Sequence, residues 1–449
     1  MTVQNFLVLG MGRSGISVAM LLTKQNKAVY AFDKDKALVK ELKNAKLVPQ
    51  TVINIKKLNE KALDNIDCVI ISPGFVLPKS LDKVIKRRGI LVQSEVDFAS
   101  MYCASPIFAV SGTNGKTTTA TFLHQLLQSC GKEAMLLGNV GEPFSDRVLD
   151  ISTKTKVVLE LSSFQLEHCP NLQCDVVALL NIAPDHLDRY KDFEEYKRAK
   201  QKLFDCVKQK GHILVNFDDQ NVYDMAKGRE RVLYFSTKPL PINVDGFFIQ
   251  DNKIFSQKNK VSKEICDLPK NLLGEHNCSN FLCAVAMAQL SHIDLARLRD
   301  SAKNLAVPPH RIQFVGECEG VQFFNDSKAT NIHAVLASTS SFLEPVVLLL
   351  GGSDKGEDFC SLFESLGHNV KTVISFGAMG KKICKAAKKC GFYDIFLTKN
   401  LEQAFLYATK IAQSGQVVLL SPGCASFDEF VNFEERGEAF CDLVAEWIK

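Results

Sequence analysis

The most specific chemical signal in this chain is the segment Gly112-Thr113-Asn114-Gly115-Lys116-Thr117. It follows an apolar run from Pro106 to Val110 and opens a helical pattern. A strand, a glycine turn and a helix N-terminus together present backbone N–H groups and the positive end of the helix dipole to an anion. Lys116 adds a point charge for terminal phosphates, and Thr117 offers a hydroxyl to Mg²⁺. The usual phosphate loop has four residues between its glycines. Gly112 and Gly115 enclose two, which makes this a shortened relative.

Other polar groups fall where strands should end, the edge at which parallel α/β sheets meet their ligands. Glu160 closes the apolar run Val157–Leu161 and suits a Mg²⁺ site. Asn181, Asp185, His186, Asp188 and Arg189 crowd the exit of the next strand, with His186 a second metal ligand or a substrate contact. On a helix from Phe193 to Val207, at about 100° per residue, Lys200 falls in the middle of an apolar face made by Phe193, Tyr196, Leu203, Phe204 and Val207. Such a lysine is paired, snorkelled or modified. Desolvation would leave a neutral amine able to add carbon dioxide as a carbamate, an oxygen ligand for Mg²⁺. Helix geometry leaves this open beside the plainer reading, a buried salt bridge. Further along, Asp326, Lys328 and Thr330, the turn Gly351–Gly356 with Lys355, and the turn-to-helix Ser421–Phe433 with Ser426 are three anion-suited loops. They argue for an acidic small-molecule substrate.

The elements that must position these groups alternate. Strands are expected at Asn5–Leu9, Ala28–Phe32 and Cys68–Ser72, with a helix at Ser14–Gln25, and that alternation implies a parallel sheet. Gly10-Met11-Gly12-Arg13-Ser14-Gly15 follows the first strand and Asp33 ends the second, as in a dinucleotide fingerprint whose last glycine comes too early. A second α/β unit starts near Ser105, and a third runs on from Pro308-Pro309 with strands at Val321–Phe324, Pro345–Leu350, Thr372–Phe376 and Gln416–Leu420.

Bulk properties exclude several classes. At 449 residues the chain holds several domains. Its net charge of +4 is small, with no basic block for nucleic acid. No apolar run approaches the ~18 residues of a membrane span. The N-terminal segment lacks the basic and cleavable regions of an export signal. Fifteen cysteines, an odd number, sit largely in apolar surroundings and read as free thiols in a reducing cytoplasm.

Taken together, these segments resemble the Mur ligases, which build the peptide of bacterial peptidoglycan. The short loop Gly112–Thr117 is that family's form, and the domain order matches over essentially the whole chain. The resemblance implies an α/β protein of three domains. These are a Rossmann-like UDP-sugar domain (1–97), a P-loop ATPase-like central domain (98–306) and a Rossmann-like amino-acid domain (307–449). Segments Glu160–Leu166, Asn325–Asn331, Gly351–Gly356 and Ser421–Phe427 resemble the member type that joins D-glutamate to UDP-N-acetylmuramoyl-L-alanine through an acyl phosphate.

On that resemblance, Gly112, Thr113, Asn114, Gly115, Lys116, Thr117, Thr118, Asn277, Arg311 and Asp326 would bind ATP. Thr117, Glu160, His186 and Lys200 as its carbamate would hold two Mg²⁺ ions, with Lys116, Glu160, His186 and Lys200 catalytic. Gly12, Arg13, Ser14, Asp33, Ser72, Gly74, Asn139 and His186 would line the UDP-sugar site. Thr330, Lys355, Ser426 and Phe433 would hold D-glutamate. The expected enzyme is a cytoplasmic monomer with small-molecule substrates, no nucleic-acid partner and no membrane insertion. A folylpolyglutamate-synthase-like ligase, an NAD dehydrogenase built on residues 1–95 and a catalytically dead nucleotide-binding regulator are the rival readings. The first should lack the UDP-type domain, the second leaves the phosphate loop unexplained, and the third is at odds with the intact Lys116, Glu160, His186 and Lys200.

Overall fold

The computed structural model describes residues 4–35, 52–186, 189–269, 272–303, 305, 309–354 and 356–448. Three sheets organise the chain. The first holds β1 (Asn5–Leu9), β2 (Ala28–Phe32), β3 (Ile53–Asn54), β4 (Cys68–Ile71) and β5 (Leu91–Ser94) in the order β3-β2-β1-β4-β5, all parallel. β4 is buried along its whole length, which is why it reads as a continuous apolar run rather than an alternation.

The second sheet holds β6 (Ile107–Ser111), β7 (Ala134–Gly138), β8 (Lys156–Glu160), β9 (Cys174–Leu179), β10 (Val207–Asn216), β11 (Val232–Ser236), β12 (Gly246–Gln250), β13 (Lys253–Lys258) and β14 (Val261–Asp267). Their order is β14-β13-β12-β11-β10-β9-β6-β8-β7. It is parallel from β7 to β12 and ends in an antiparallel meander through β13 and β14. The third holds β15 (Gln313–Cys318), β16 (Val321–Asn325), β17 (Val346–Gly351), β18 (Val370–Phe376), β19 (Ile395–Leu397) and β20 (Val417–Leu420), ordered β15-β16-β20-β17-β18-β19 with only the β15–β16 pair antiparallel.

Two compact units result. One comprises Met1–Leu268 and Asn280–Asn304 and contains the first two sheets; the other comprises Pro269–Ser279 and Leu305–Lys449 and contains the third. One expected element is shorter than its pattern. The helix read as Phe193–Val207 ends at Gln201 and tightens into a 3₁₀ turn over Lys202–Cys206. Leu203, Phe204 and Cys206 are buried in that turn, so the apolar face continues although the helix does not. Val207 already belongs to β10.

Candidate active site

β6 lies between β8 and β9, so the turns that leave these three strands open on one edge. After β6 the chain passes Gly112 and Gly115, both at positive φ, before the helix Lys116–Ser129. A Cβ at Gly115 would stand 2.2 Å from Asn280 Oδ1, so the position admits glycine alone. Asn181, just beyond β9, clamps the turn. Its side-chain oxygen accepts the Asn114 N–H at 2.8 Å, its amide donates to the Asn114 carbonyl at 3.0 Å, and its carbonyl accepts the Thr113 N–H at 2.9 Å. The Thr113 hydroxyl accepts the Ala183 N–H and meets the Tyr196 hydroxyl, both at 3.0 Å. The loop is therefore held from outside, with Lys116 Nζ curled onto the Gly112 and Thr113 carbonyls at 3.0 and 2.7 Å.

Glu160 ends β8, 1% exposed. Asn139 donates to its Oε1 at 2.8 Å, while Oε2 is buried without a hydrogen-bond partner. Thr118 Oγ1, in the first turn of the loop's helix, is a second buried oxygen without one. A carboxyl oxygen left without a partner in the interior is costly, and a Mg²⁺ ion on bound phosphates would relieve it. Thr117 is half-buried beside it in sequence.

Lys200 is 2% exposed. Its ammonium donates to the Gly112 carbonyl at 2.8 Å and Ser111 Oγ at 3.1 Å, and among the described residues no carboxylate joins them. The buried-salt-bridge reading of the sequence fails here. The lysine reaches under the phosphate loop, where backbone carbonyls and a hydroxyl are the acceptors on offer. Burial, reinforced by the neighbouring Lys116 cation, holds its pKa well below the ordinary lysine value.

His186 adopts a left-handed backbone, φ +54°, uncommon outside glycine. Its ring lies 4.8 Å from that of Phe164, and Nε2 is 3.7 Å from the Asp185 carboxylate. Arg189 stacks over Phe164 at 3.8 Å, donates to the Pro73 carbonyl at 2.7 Å and pairs with Glu167 at 3.3 Å. Through Pro73, between Ser72 and Gly74, the His186 loop is tied to the first sheet. There Asp33 accepts the Met11 N–H at 2.6 Å, Ser72 donates to the Gly10 carbonyl at 2.7 Å, and Arg13 donates to the Gly141 carbonyl at 3.1 Å. Gly12 caps the helix Arg13–Lys24, which contains Ser14. A Cβ at Gly15 would meet the Gly10 carbonyl at 1.9 Å, so this early glycine serves the close packing of helix on turn.

In the second unit, Asp326 follows β16 and is held by the Ser338 hydroxyl, the Ser421 hydroxyl at 2.9 Å and the Ile312 N–H at 3.3 Å. Burial pushes its pKa up to about 6, against the pull of those donors and of Arg311. Ser426 is buried and Thr330 half-buried. Phe433 opens the helix Phe433–Ile448, with Lys328 Nζ 3.6 Å above its ring. The fully buried Arg436 donates to Ser327 and to the Cys424 and Ala425 carbonyls, fixing the loop before Ser426. Asn277 belongs to this unit and donates to the Leu273 carbonyl at 2.8 Å. Lys355 and Asp188 lie outside the described residues.

Sequence reasoning passed over Asn280, Arg189's bridge and the polar end of Tyr196, which it counted as apolar surface. Asn280 stands three residues after Asn277 on a buried alanine-rich helix, and an unexplained asparagine there was the available signal. Arg189 stands in the polar cluster expected after β9, but nothing in the sequence marked its partners, which are 116 and 22 residues away.

Three family profiles match: "Mur ligase MurD-like, N-terminal domain" over residues 4–93, "Mur ligase middle domain" over 110–288 and "Mur ligase, glutamate ligase domain" over 310–424. A protein of Caldanaerobacter subterraneus subsp. tengcongensis named UDP-N-acetylmuramoylalanine–D-glutamate ligase is 36% identical over 98% of this chain and 97% of its own. The protein of that name from Caldicellulosiruptor saccharolyticus is also 36% identical, over 98% of each. Among solved structures, a pseudomurein peptide ligase type C from Methanothermus fervidus covers 99% of each chain at TM-score 0.60 and 16% identity. UDP-N-acetylmuramate-alanine ligase MurC from Thermotoga maritima covers 99% of this chain and 100% of its own at TM-score 0.58 and 15% identity. The fold is thus that of these ligases, and the full-length relatives decide the assignment: this chain belongs to the Mur ligase family.

Proposed function

We infer that this chain is the ATP-dependent ligase that joins D-glutamate to UDP-N-acetylmuramoyl-L-alanine in peptidoglycan synthesis. Full-length similarity to proteins of that name supports the reading. The observation in the molecule that carries it is the edge where the Gly112–Thr117 loop, the buried Glu160 and the buried Lys200 meet.

A free carboxylate resists an amine because its leaving group is poor. Phosphorylation by ATP supplies a good one, and the D-glutamate amine then displaces phosphate to leave an amide. The protein's part is positioning and charge neutralisation. Gly112, Thr113, Asn114, Gly115, Thr117 and Thr118 cradle the phosphates, and Lys116 leaves its loop carbonyls to grip the terminal ones. Thr117, Glu160, His186 and carbamylated Lys200 are the residues that would hold two Mg²⁺ ions. When bound, Mg²⁺ offsets the charge that builds on the phosphate oxygens. Lys200 is suited to carbamylation because its buried amine favours the neutral, nucleophilic form.

Gly12, Arg13, Ser14, Asp33, Ser72, Gly74 and Asn139 line the UDP-sugar site, and Asn139 also aims Glu160. Asn277, Arg311 and Asp326 are further ATP contacts on this reading. Thr330, Lys355, Ser426 and Phe433 hold D-glutamate. The domains divide at residues 97 and 306, and the enzyme works as a monomer in the cytoplasm. No helix among the described residues is long and apolar enough to cross a membrane.

Phosphate release from ATP tests this directly. Release should need both UDP-N-acetylmuramoyl-L-alanine and D-glutamate, with L-glutamate and D-alanine poor substitutes. Release driven equally well by another amino acid would overturn the acceptor, and no release in any combination would overturn the ligase.

A further inference from the structure

Two of the fifteen free thiols form a pair on the second unit. Cys360 lies in the helix Phe359–Ser365, and Cys390 caps the helix Gly380–Lys389. The two helices pack together, and the Phe363 and Phe392 rings meet at 5.5 Å beside the pair. The Cys390 thiol donates to the Cys360 carbonyl at 3.7 Å, which places the two cysteines side by side. Both side chains are partly open to solvent. Cys174 and Cys206, two thiols that also neighbour each other, are sealed in the core of the first unit at 0% and 1% exposure. Neighbouring thiols with access for an oxidant are what thiol–disulfide exchange requires.

We propose that Cys360 and Cys390 are a modification site, closing to a reversible intramolecular disulfide when the protein meets a disulfide oxidant such as oxidised glutathione. Exchange begins at one thiol of the pair, for example Cys360. Its thiolate, having lost a proton to solvent, bonds to one glutathione sulfur and expels the other as a thiolate. Cys390 then releases its own proton, attacks the Cys360 sulfur and expels the second glutathione. Two protein thiols are oxidised by two electrons, and one glutathione disulfide is reduced to two glutathiones. The bond staples together two helices that both attach to the turn beginning at Gly351. One follows that turn, and the other is anchored to it by the Met379 N–H on the Gly352 carbonyl and by the Lys382–Asp354 pair.

The test is titration of the full chain with oxidised glutathione, blocking of remaining thiols with an alkylating agent, and peptide mass spectrometry. With alkylation carried out after denaturation, the expected result is loss of two of the fifteen alkylatable thiols, one cross-linked peptide joining Cys360 to Cys390, and full recovery with dithiothreitol. C360S and C390S should each abolish that cross-link, and a melting curve like that of the wild type shows the variants folded. A first disulfide between other cysteines would overturn the proposal, as would a Cys360 and Cys390 that stay alkylatable while glutathione adds elsewhere. The readout is covalent and independent of ligase activity.

Discussion

At the scale of single residues, the site is a set of groups that folding leaves unsatisfied. Glu160 Oε2 is buried without a donor, and Lys200 places its amine against the Gly112 carbonyl that Lys116 also uses. Glu160→Gln should therefore cut kcat by roughly 10²–10³-fold without lowering the melting temperature, since no hydrogen bond to Oε2 is lost. A matching loss of stability would make Glu160 a structural residue. Lys200→Ala should lose activity that bicarbonate does not restore and that small carboxylates such as acetate partly rescue. Full activity in that variant would exclude a role for the amine. Both residues were legible in the sequence, because a charged side chain at a strand end or amid an apolar stripe conflicts with its neighbours. The acceptors of Lys200 were not, since they are backbone and hydroxyl groups about ninety positions away.

At the scale of elements, the strands that the sequence reading placed fall within a residue or two of those observed, because parallel strands buried on both faces have a telling composition, whereas β3, β5, β7, β10, β15 and β19 were not placed. The helix around Lys200 was overrun by six residues, since a 3₁₀ turn preserves enough of the apolar periodicity to pass for helix. The junctions between elements were the hidden part. Arg189 joins the His186 loop, the Phe164 ring and the Pro73 carbonyl. Arg189→Ala should raise the KM for the UDP-linked substrate roughly ten-fold, about 1.4 kcal/mol, with a smaller effect on ATP. Arg189→Lys should not restore it, because an ammonium neither stacks nor forks.

A second junction titrates. Glu95 is buried against the Ser145 N–H and hydroxyl, both at 2.6 Å, and Ser145 meets Ser17 of the helix Arg13–Lys24. Burial pushes its carboxyl up to about 7 from 4.5, against those donors. A carboxyl raised in the fold keeps its proton where the unfolded chain has lost it, so its contribution to stability falls as pH rises from about 4.5 to 7 and is level above. The loss is on the order of 3 kcal/mol. Between pH 5 and 8 the melting temperature of the wild type should fall relative to that of Glu95→Gln. A constant gap would refute the assignment.

At the scale of the whole molecule, the division into two compact units argues against a single cooperative melt. Calorimetry should resolve two transitions, and nucleotide with Mg²⁺ should raise most the one belonging to the unit with the Gly112–Thr117 loop, which carries the phosphate and Mg²⁺ groups. One transition, moved as a whole, would mean that the units unfold together. The three-sheet architecture was readable from the alternation of strands and helices, whereas the antiparallel meander of β13 and β14 was not, its short polar strands being set by pairing rather than composition.

The cysteines have a use beyond packing. Cys68 in β4, Cys174 in β9, Cys283 in the helix Glu275–Leu290 and Cys424 after β20 are each no more than 2% exposed, so every sheet has a thiol sealed in or beside it. Each can react with a probe only when its own surroundings open. Pulsed labelling of the unmodified protein would therefore time the opening of each region separately, reporting which part of the molecule breathes first without a single engineered tag.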